Sequence, residues 1–420
     1  MNNYIPISEL GWIDFSDTDK QKVMKVIEML QPDGTVDELG VGIIRNALSD
    51  AMFPGITTIM TRAKYFFIVP RILQTYISKP PRNITVREYL RQEENEIMQT
   101  LSVQNSYMDN IGVIGISVAK QNQFLPQRQW EELIRKPSTI YWNGIRTYKI
   151  YIGDLSLANL LDALESKSIH GSTLGYQAAE GETSDDRDAE IAEKFIFSLP
   201  DYDKNWKSEL TIDLAPEEAD FLKHKIIDLY PEILLSKVLK SKDAIKDFLK
   251  SKSFQDMCDM PFVKLLPDKN QAIIYTSRDF WQIMFGAHIR YNCILHSRHG
   301  FEEFKNRCDK LWNEWIDTMK VFNWDTFNRE LMWQIAKQHG VVKIFTENFI
   351  NQWMDKIKNQ DFNTVELDTM IEKQESKNKT SRSKLRLQND EKYDKWIGIR
   401  NMDFRFGNVQ TIIGDIASKT

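Results

Sequence analysis

Threonines, glycine and arginine are concentrated between two apolar stretches near the start of the chain, where they could bind a phosphate. The dipeptide Pro54-Gly55 predicts a turn, and Thr57 or Thr58 is placed to cap the helix that would follow. The N–H groups of a helix N-terminus, threonine hydroxyls and a guanidinium all favour oxyanions. The predicted phosphate ligands are Thr58, Thr61 and Arg62. The alternative is a capped helix with a solvent-facing arginine, because the chain has no glycine-rich Walker loop.

Two adjacent carboxylates, Asp37 and Glu38, precede the helix that we expect to begin at Leu39. Neighbouring side chains on a helix diverge by about 100°, so this pair does not form a two-acid site by itself. We expect the carboxylates to cap that helix, or to pair with Arg45 or Arg62. A metal-dependent nuclease or nucleotide-processing enzyme built on Asp37, Glu38 and Arg62 stays open as an alternative.

A Cys-x2-His-x2-His-x8-Cys string has the residue types of a zinc site. Its members are Cys293, His296, His299 and Cys308. A helix over 270–297 would place Cys293 and His296 on one face, but His299 comes just before Gly300, where the helix should end. A partly buried cysteine with surface histidines is the alternative, and we expect neither a bound metal nor a cofactor.

A polar stretch near the C-terminus carries a run of basic residues with only Glu375 opposing them. The run consists of Lys373, Lys377, Lys379, Arg382, Lys384 and Arg386. Such a run can contact nucleic-acid phosphates, and Tyr393 and Trp396 could stack on bases. Its ordinary alternative is a solvated surface.

The length and amino-acid composition are typical of a globular protein that can bury a large hydrophobic core. The 420 residues are 42% hydrophobic and 27% charged, with a formal net charge of −5, so any nucleic-acid contact must be local. Three cysteines form no disulfide framework, and no apolar run reaches about 18 residues. We therefore expect a cytoplasmic protein with no membrane partner.

The pattern of apolar residues predicts a mainly α, multi-lobed protein. We expect an N-terminal helical domain over 1–165, a linker or surface loop over 166–205, and a C-terminal helical domain over 206–420. Residues Thr147–Ile152 alternate like a strand. Short helices followed by this strand would form a small winged-helix-like α/β portion in the N-terminal half.

Four blocks resemble an uncharacterised bacterial family of about this length, known as a domain of unknown function. They are Leu10–Ser16, Asp37–Arg45 (DELGVGIIR), Phe53–Phe66 (FPGITTIMTRAKYF) and Pro137–Trp142 (PSTIYW). The resemblance continues at Tyr291-Asn292, Leu385–Leu387 and Trp396–Asp415, so it covers nearly the whole chain. The family does not carry the cysteine and histidines that follow Tyr291-Asn292 here, which argues against zinc.

The resemblance implies an accessory role in anti-phage defence, because similar genes lie near helicases, phospholipase-D-like nucleases or modification genes. It favours a shared polar set made of Arg45, Thr58, Thr61, Arg62 and Tyr65 with Arg386, Trp396 and Arg405. We predict a non-enzymatic accessory subunit that binds DNA, a helicase or nuclease encoded nearby, or both. An enzyme of the kind described above and a pure protein scaffold are the alternatives.

Overall fold

The fold is described from a computed structural model, which defines residues 37–104, 112–122, 124–125, 131, 133–166, 196–203, 205–208, 210–386, 393 and 395–420. Within them the chain forms sixteen α-helices. They are α1 Gly42–Met52, α2 Tyr65–Ser78, α3 Val86–Gln104, α4 Ile116–Asn122, α5 Pro137–Thr147, α6 Leu157–Glu165, α7 Pro216–Leu229, α8 Leu234–Leu239, α9 Lys242–Lys250, α10 Phe254–Cys258, α11 Asp268–Arg298, α12 Glu302–Lys320, α13 Arg329–His339, α14 Ile344–Lys358, α15 Thr364–Lys379 and α16 Phe406–Ala417. Short 3₁₀ helices cover Pro261–Leu265 and Thr380–Arg382.

The longest helix, α11, organises the C-terminal half. Its 31 residues span about 46 Å at 1.5 Å per residue. It packs against α1, α10, α12, α13, α14 and α15, and most of its residues are buried. This central helix therefore sets the positions of the basic run on α15 and of the aromatic residues on α12.

The last helix, α16, returns to the segment before α2. It packs against α7 and α9. Asn408 donates from Nδ2 to the carbonyl oxygen of Met60 at 2.7 Å, and the Asp415 carboxylate accepts the N–H of Ala63 at 2.7 Å. These bonds join parts of the chain that lie about 350 residues apart.

The predicted mainly α class is confirmed. The strand predicted over Thr147–Ile152 is wrong, because Thr147 ends α5 and only Tyr151 forms a β-bridge, with Phe197. The extended residue Lys136 and Pro137 at the first helical position begin α5, and its apolar residues then point into the core. The winged-helix-like portion is not confirmed.

The start of the helix predicted to follow Thr57 or Thr58 is also wrong, because α2 begins at Tyr65. The Tyr141 hydroxyl fixes the preceding segment in a non-helical path. It accepts the N–H groups of Thr61 and Arg62 at 2.8 and 3.0 Å and donates to the Arg62 carbonyl oxygen at 2.8 Å. Thr58 therefore has no helix N-terminus beside it.

The linker predicted for 166–205 lies mostly outside the described residues, and the division into domains 1–165 and 206–420 stays a prediction. None of the described helices has the length and apolar character needed to span a bilayer.

Candidate nucleic-acid interface

A buried carboxylate joins the segment before α1 to the end of α15. The side chain of Glu38 is 5% exposed, and its oxygens lie 2.6 Å from Lys379 Nζ and 2.6 Å from Lys384 Nζ. Asn378 Nδ2 donates to the carbonyl oxygens of Asp37 and Glu38 at 2.7 and 3.2 Å. Two cations of the predicted basic run are therefore used inside the fold.

The neighbouring carboxylate, Asp37, caps α1. It accepts the backbone N–H groups of Leu39, Val41 and Gly42 at 3.2, 3.0 and 2.7 Å. Burial raises the pKa of Asp37, and the N–H groups of Gly42 and Val41 act against that rise. A Cβ at Gly42 would lie 2.7 Å from Asp37 Oδ2, so this position has no room for a larger residue. The predicted capping role is confirmed for Asp37.

The acidic residues of α15 are all engaged by other parts of the fold. Glu366 pairs with Lys356, Asp368 with Arg290 and Glu372 with Arg298, while Glu375 accepts from the Ser383 hydroxyl and the Lys384 N–H. The basic side chains that remain exposed are Lys373, Lys377, Arg382 and Arg386. We call these four residues the basic face.

Arg62, a predicted phosphate ligand, forms ion pairs with the carboxylates of Asp415 and Asp213. Its Nε lies 2.9 Å from Asp415 Oδ1, and its Nη2 lies 2.7 Å from Asp213 Oδ1. Burial raises the pKa of Asp415, and the adjacent guanidinium opposes that rise. Arg62 therefore connects the segment before α2 to α16 and to the segment before α7.

Arg405 is also turned inward. It is 9% exposed, it adopts a left-handed φ of 66°, and its Nη1 donates to the Asp50 carboxylate and to the Ile56 carbonyl oxygen. Arg45 is half-buried, and its guanidinium donates to Asn46 Oδ1 at 3.1 and 3.2 Å. Burial lowers the pKa of Arg45.

The remaining residues of the predicted set contribute to local packing. Thr61 Oγ1 donates to the Gly112 carbonyl oxygen at 2.6 Å, and the Tyr65 hydroxyl accepts the Ile114 N–H at 2.9 Å. Thr58 is exposed. A phosphate-binding role for Thr58, Thr61 and Arg62 stays a prediction, without the helix N-terminus that motivated it.

Trp396 lies against the central helix. Its ring stacks on Phe285 with centroids 5.9 Å apart, and the Arg400 guanidinium lies 6.0 Å from the Trp396 centroid. Its indole Nε1 is buried without a hydrogen-bond acceptor among the described residues. Phe285 also lines a cavity of about 420 Å³ between α11 and α12.

The two cysteines of the zinc-like string contact each other, whereas its two histidines contact other side chains. The buried thiols of Cys293 and Cys308 are hydrogen-bonded to each other. This hydrogen bond is the main cause that raises the pKa of Cys293, and burial of the thiol is the second. The rings of His296 and Phe304 lie 4.8 Å apart, and those of His299 and Tyr393 lie 4.9 Å apart. The part of the chain described by the structure contains no cluster of three or more residues arranged to hold a metal.

A model for a family of unknown function, DUF6361, matches residues 7–420. The chain belongs to the DUF6361 family. This match confirms the predicted membership of an uncharacterised family. No curated protein and no solved structure matches the chain.

In this DUF6361 chain, sequence reasoning missed the carboxylates that hold its arginines and lysines. Asp415 lies 353 residues after Arg62. Glu218, which is 2% exposed, lies 2.8 Å from Lys64 Nζ and 2.6 Å from Arg71 Nη1. No local spacing in the sequence relates such distant partners. Sequence reasoning also missed the cavity beside Phe285. The one sequence feature that pointed to it was the high tryptophan content of the C-terminal half.

Proposed function

We propose that this DUF6361 protein is a non-enzymatic accessory subunit that binds DNA through the basic face. The observation that carries the proposal is the division of charge on and after α15. The acidic residues of this helix pair with other elements, while Lys373, Lys377, Arg382 and Arg386 stay exposed. Residues four apart on a helix share a side, so Lys373 and Lys377 present their charges together.

The proposal fits the charge of the whole chain. A net charge of −5 disfavours diffuse attraction to DNA, so binding must come from a local cluster of cations. Each phosphate neutralised by such a cluster releases counterions, which makes the binding sensitive to salt. The 3₁₀ turn and the bonds to Glu375 hold the segment after α15 against the fold, so the cations are attached to an ordered surface.

The biological setting in the proposal is a prokaryotic anti-phage system in which the protein works with a helicase or nuclease encoded nearby. This part rests on the resemblance described above. A subunit that binds DNA and a catalytic partner would recruit that partner to its substrate.

The alternative of a metal-dependent nuclease is less well supported by the same residues. Asp37 accepts three backbone N–H groups, Glu38 is paired with two lysines, and Arg62 holds Asp415. These side chains are engaged in stabilising the fold. Divalent-metal-dependent cleavage that is lost in Asp37→Ala, in a variant that remains folded, would favour the enzyme over our proposal.

The proposal is tested by fluorescence anisotropy of the full chain with labelled single-stranded and double-stranded DNA over a salt series. The test variant changes the four residues of the basic face to alanine. The matched control also removes four exposed lysines, namely Lys240, Lys242, Lys246 and Lys250, on and before α9. Both variants have the same net charge, so a difference in their DNA affinity shows that the location of the removed cations matters.

We expect the basic-face variant to weaken binding and to flatten the dependence of log K on log salt by about 3 if all four cations contact phosphates of a single strand. The control should keep most of the affinity. Equal effects of the two variants would contradict the assignment to this face. No binding at low salt would favour a scaffold that acts only through its protein partner.

A further inference from the structure

The cavity beside Phe285 has the size and lining of a site for a flat aromatic ligand. Its volume of about 420 Å³ is within the range of small-molecule sites, roughly 300–1,000 Å³. Rings of Trp281, Phe285 and Trp315 form its apolar wall. The polar residues of the lining are Gln255, Arg278, Gln282, Glu314, Thr318 and Asn401.

The aromatic wall is held rigidly. The Trp315 indole N–H donates to the Gln282 carbonyl oxygen at 2.7 Å, and the ring lies against Gly286, where a Cβ would be 2.4 Å from a ring carbon. The rings of Trp281 and Phe285 lie 4.9 Å apart. A wall that is already ordered loses little conformational entropy when a ring binds to it.

The polar lining includes a donor that the fold does not use. Gln255 Nε2 is buried and has no hydrogen-bond acceptor among the described residues. A buried donor without an acceptor is costly, so a ligand that offers a carbonyl oxygen or ring nitrogen would gain from meeting it. Arg278 is held by Asp279 at 2.8 Å and its side chain is 32% exposed, so its charge is compensated while one side remains accessible. These features fit a neutral planar ring with polar edges.

Residues 393 and 395–401, which precede α16, lie along α11 between its C-terminal end and the cavity. The Tyr393 carbonyl oxygen accepts a hydrogen bond from His296 Nδ1 at 3.1 Å, and Ile397 exchanges two hydrogen bonds of 2.9 Å with Asn292. Asn401 lines the cavity. Residues 296 and 285 are about 16 Å apart along α11. The segment carries two further exposed cations, Lys395 and Arg400. These two cations lie between the C-terminal end of α11 and the aromatic cavity.

We infer that the cavity takes an unstacked base of single-stranded nucleic acid whose phosphates follow the basic face. This inference rests on the proposed function. Nucleobases have flat π faces and edges that carry hydrogen-bond acceptors, which match the aromatic wall and the amide of Gln255. A base inside a duplex is stacked and paired, so the site selects a single strand.

The test uses a single-stranded oligonucleotide with one 2-aminopurine, its duplex form, and free 2-aminopurine riboside as a probe without phosphates. Two variants address the cavity. Gln255→Met removes the amide with little change in size, and Asn401→Trp fills the cavity from its exposed rim. The basic-face variant is the comparison that changes phosphate contact alone.

We expect the single strand to bind about fivefold to 150-fold more tightly than the duplex, as one stacked base provides, with a change in 2-aminopurine fluorescence. Gln255→Met should weaken this binding about fivefold, and Asn401→Trp should abolish the preference while keeping the salt slope. Equal binding of single strand and duplex, unaffected by either cavity variant, would overturn the inference and leave the proposed function intact. Binding of the riboside but not of DNA would instead overturn the proposed function and identify a free nucleoside as the occupant.

Discussion

Replacing Glu38 by glutamine should destabilise the fold strongly, because it leaves two lysines near each other without a counter-charge. The Lys379 side chain is only 10% exposed and that of Lys384 is 28% exposed. Removing one partner of a buried ion pair costs about 3–5 kcal/mol. Lys384 is partly solvated, so we expect about 3 kcal/mol for Glu38→Gln, at the lower end of that range.

The assay is urea unfolding of the full chain followed by circular dichroism, with Glu366→Gln as the control. Glu366 also pairs with a lysine, since one of its oxygens lies 2.6 Å from Lys356 Nζ, but its side chain is 56% exposed. The same chemical change at this exposed pair should cost less than about 1 kcal/mol. Comparable losses in the two variants would refute the reasoning, because they would show that burial does not determine the cost.

Two further changes test groups elsewhere in the fold. Burial raises the pKa of Glu94 to about 7. Raising the pH from 5 to 8 should therefore stabilise Glu94→Gln relative to the natural chain by about 2.5 kcal/mol, and urea unfolding at both pH values would show a constant difference if this is wrong. Gly286→Ala should lower the unfolding free energy by about 1–3 kcal/mol, because the added methyl group would overlap the Trp315 ring. Gly414→Ala is the control, since the nearest atom to its added methyl group is 3.8 Å away. This control should raise the unfolding free energy by up to about 1 kcal/mol.

The sign of the Glu94 effect follows from the direction of its pKa. A carboxyl whose pKa is higher in the folded state than its ordinary value of 4.5 favours folding when it is protonated. That contribution is complete below pH 4.5 and is lost as the pH rises through about 7. Glutamine stays neutral throughout and can still accept the Ser138 N–H that Glu94 accepts at 2.6 Å.

Local periodicity was enough to predict helices such as the one expected over 270–297, which is found at Asp268–Arg298. It failed at Thr58, because the Tyr141 hydroxyl, about 80 residues away, holds the backbone of residues 61 and 62 out of a helix. It also failed at Thr147–Ile152, where alternating apolar residues pack into the core from a turn. In both places tertiary packing outweighs the local pattern.

The candidate site was predictable only in part for the same reason. Composition identified the basic run, but the faces of its members depend on Glu38, which lies 346 residues before Lys384. That carboxylate draws Lys379 and Lys384 inward and leaves the basic face outside. A single sequence gives no measure of such pairing, since both partners look like ordinary charged residues.

The bond between Arg62 and Asp415 has a consequence for biosynthesis. Asp415 leaves the ribosome 353 residues after Arg62, which takes roughly 20 to 70 s at 5–20 residues per second. During this time the segment before α2 lacks its buried carboxylate, so this part of the molecule can finish folding only after Asp415 has been synthesised. A nascent chain that waits this long exposes apolar helices to other proteins, and we expect its yield in cells to depend on chaperones more than its final stability would suggest.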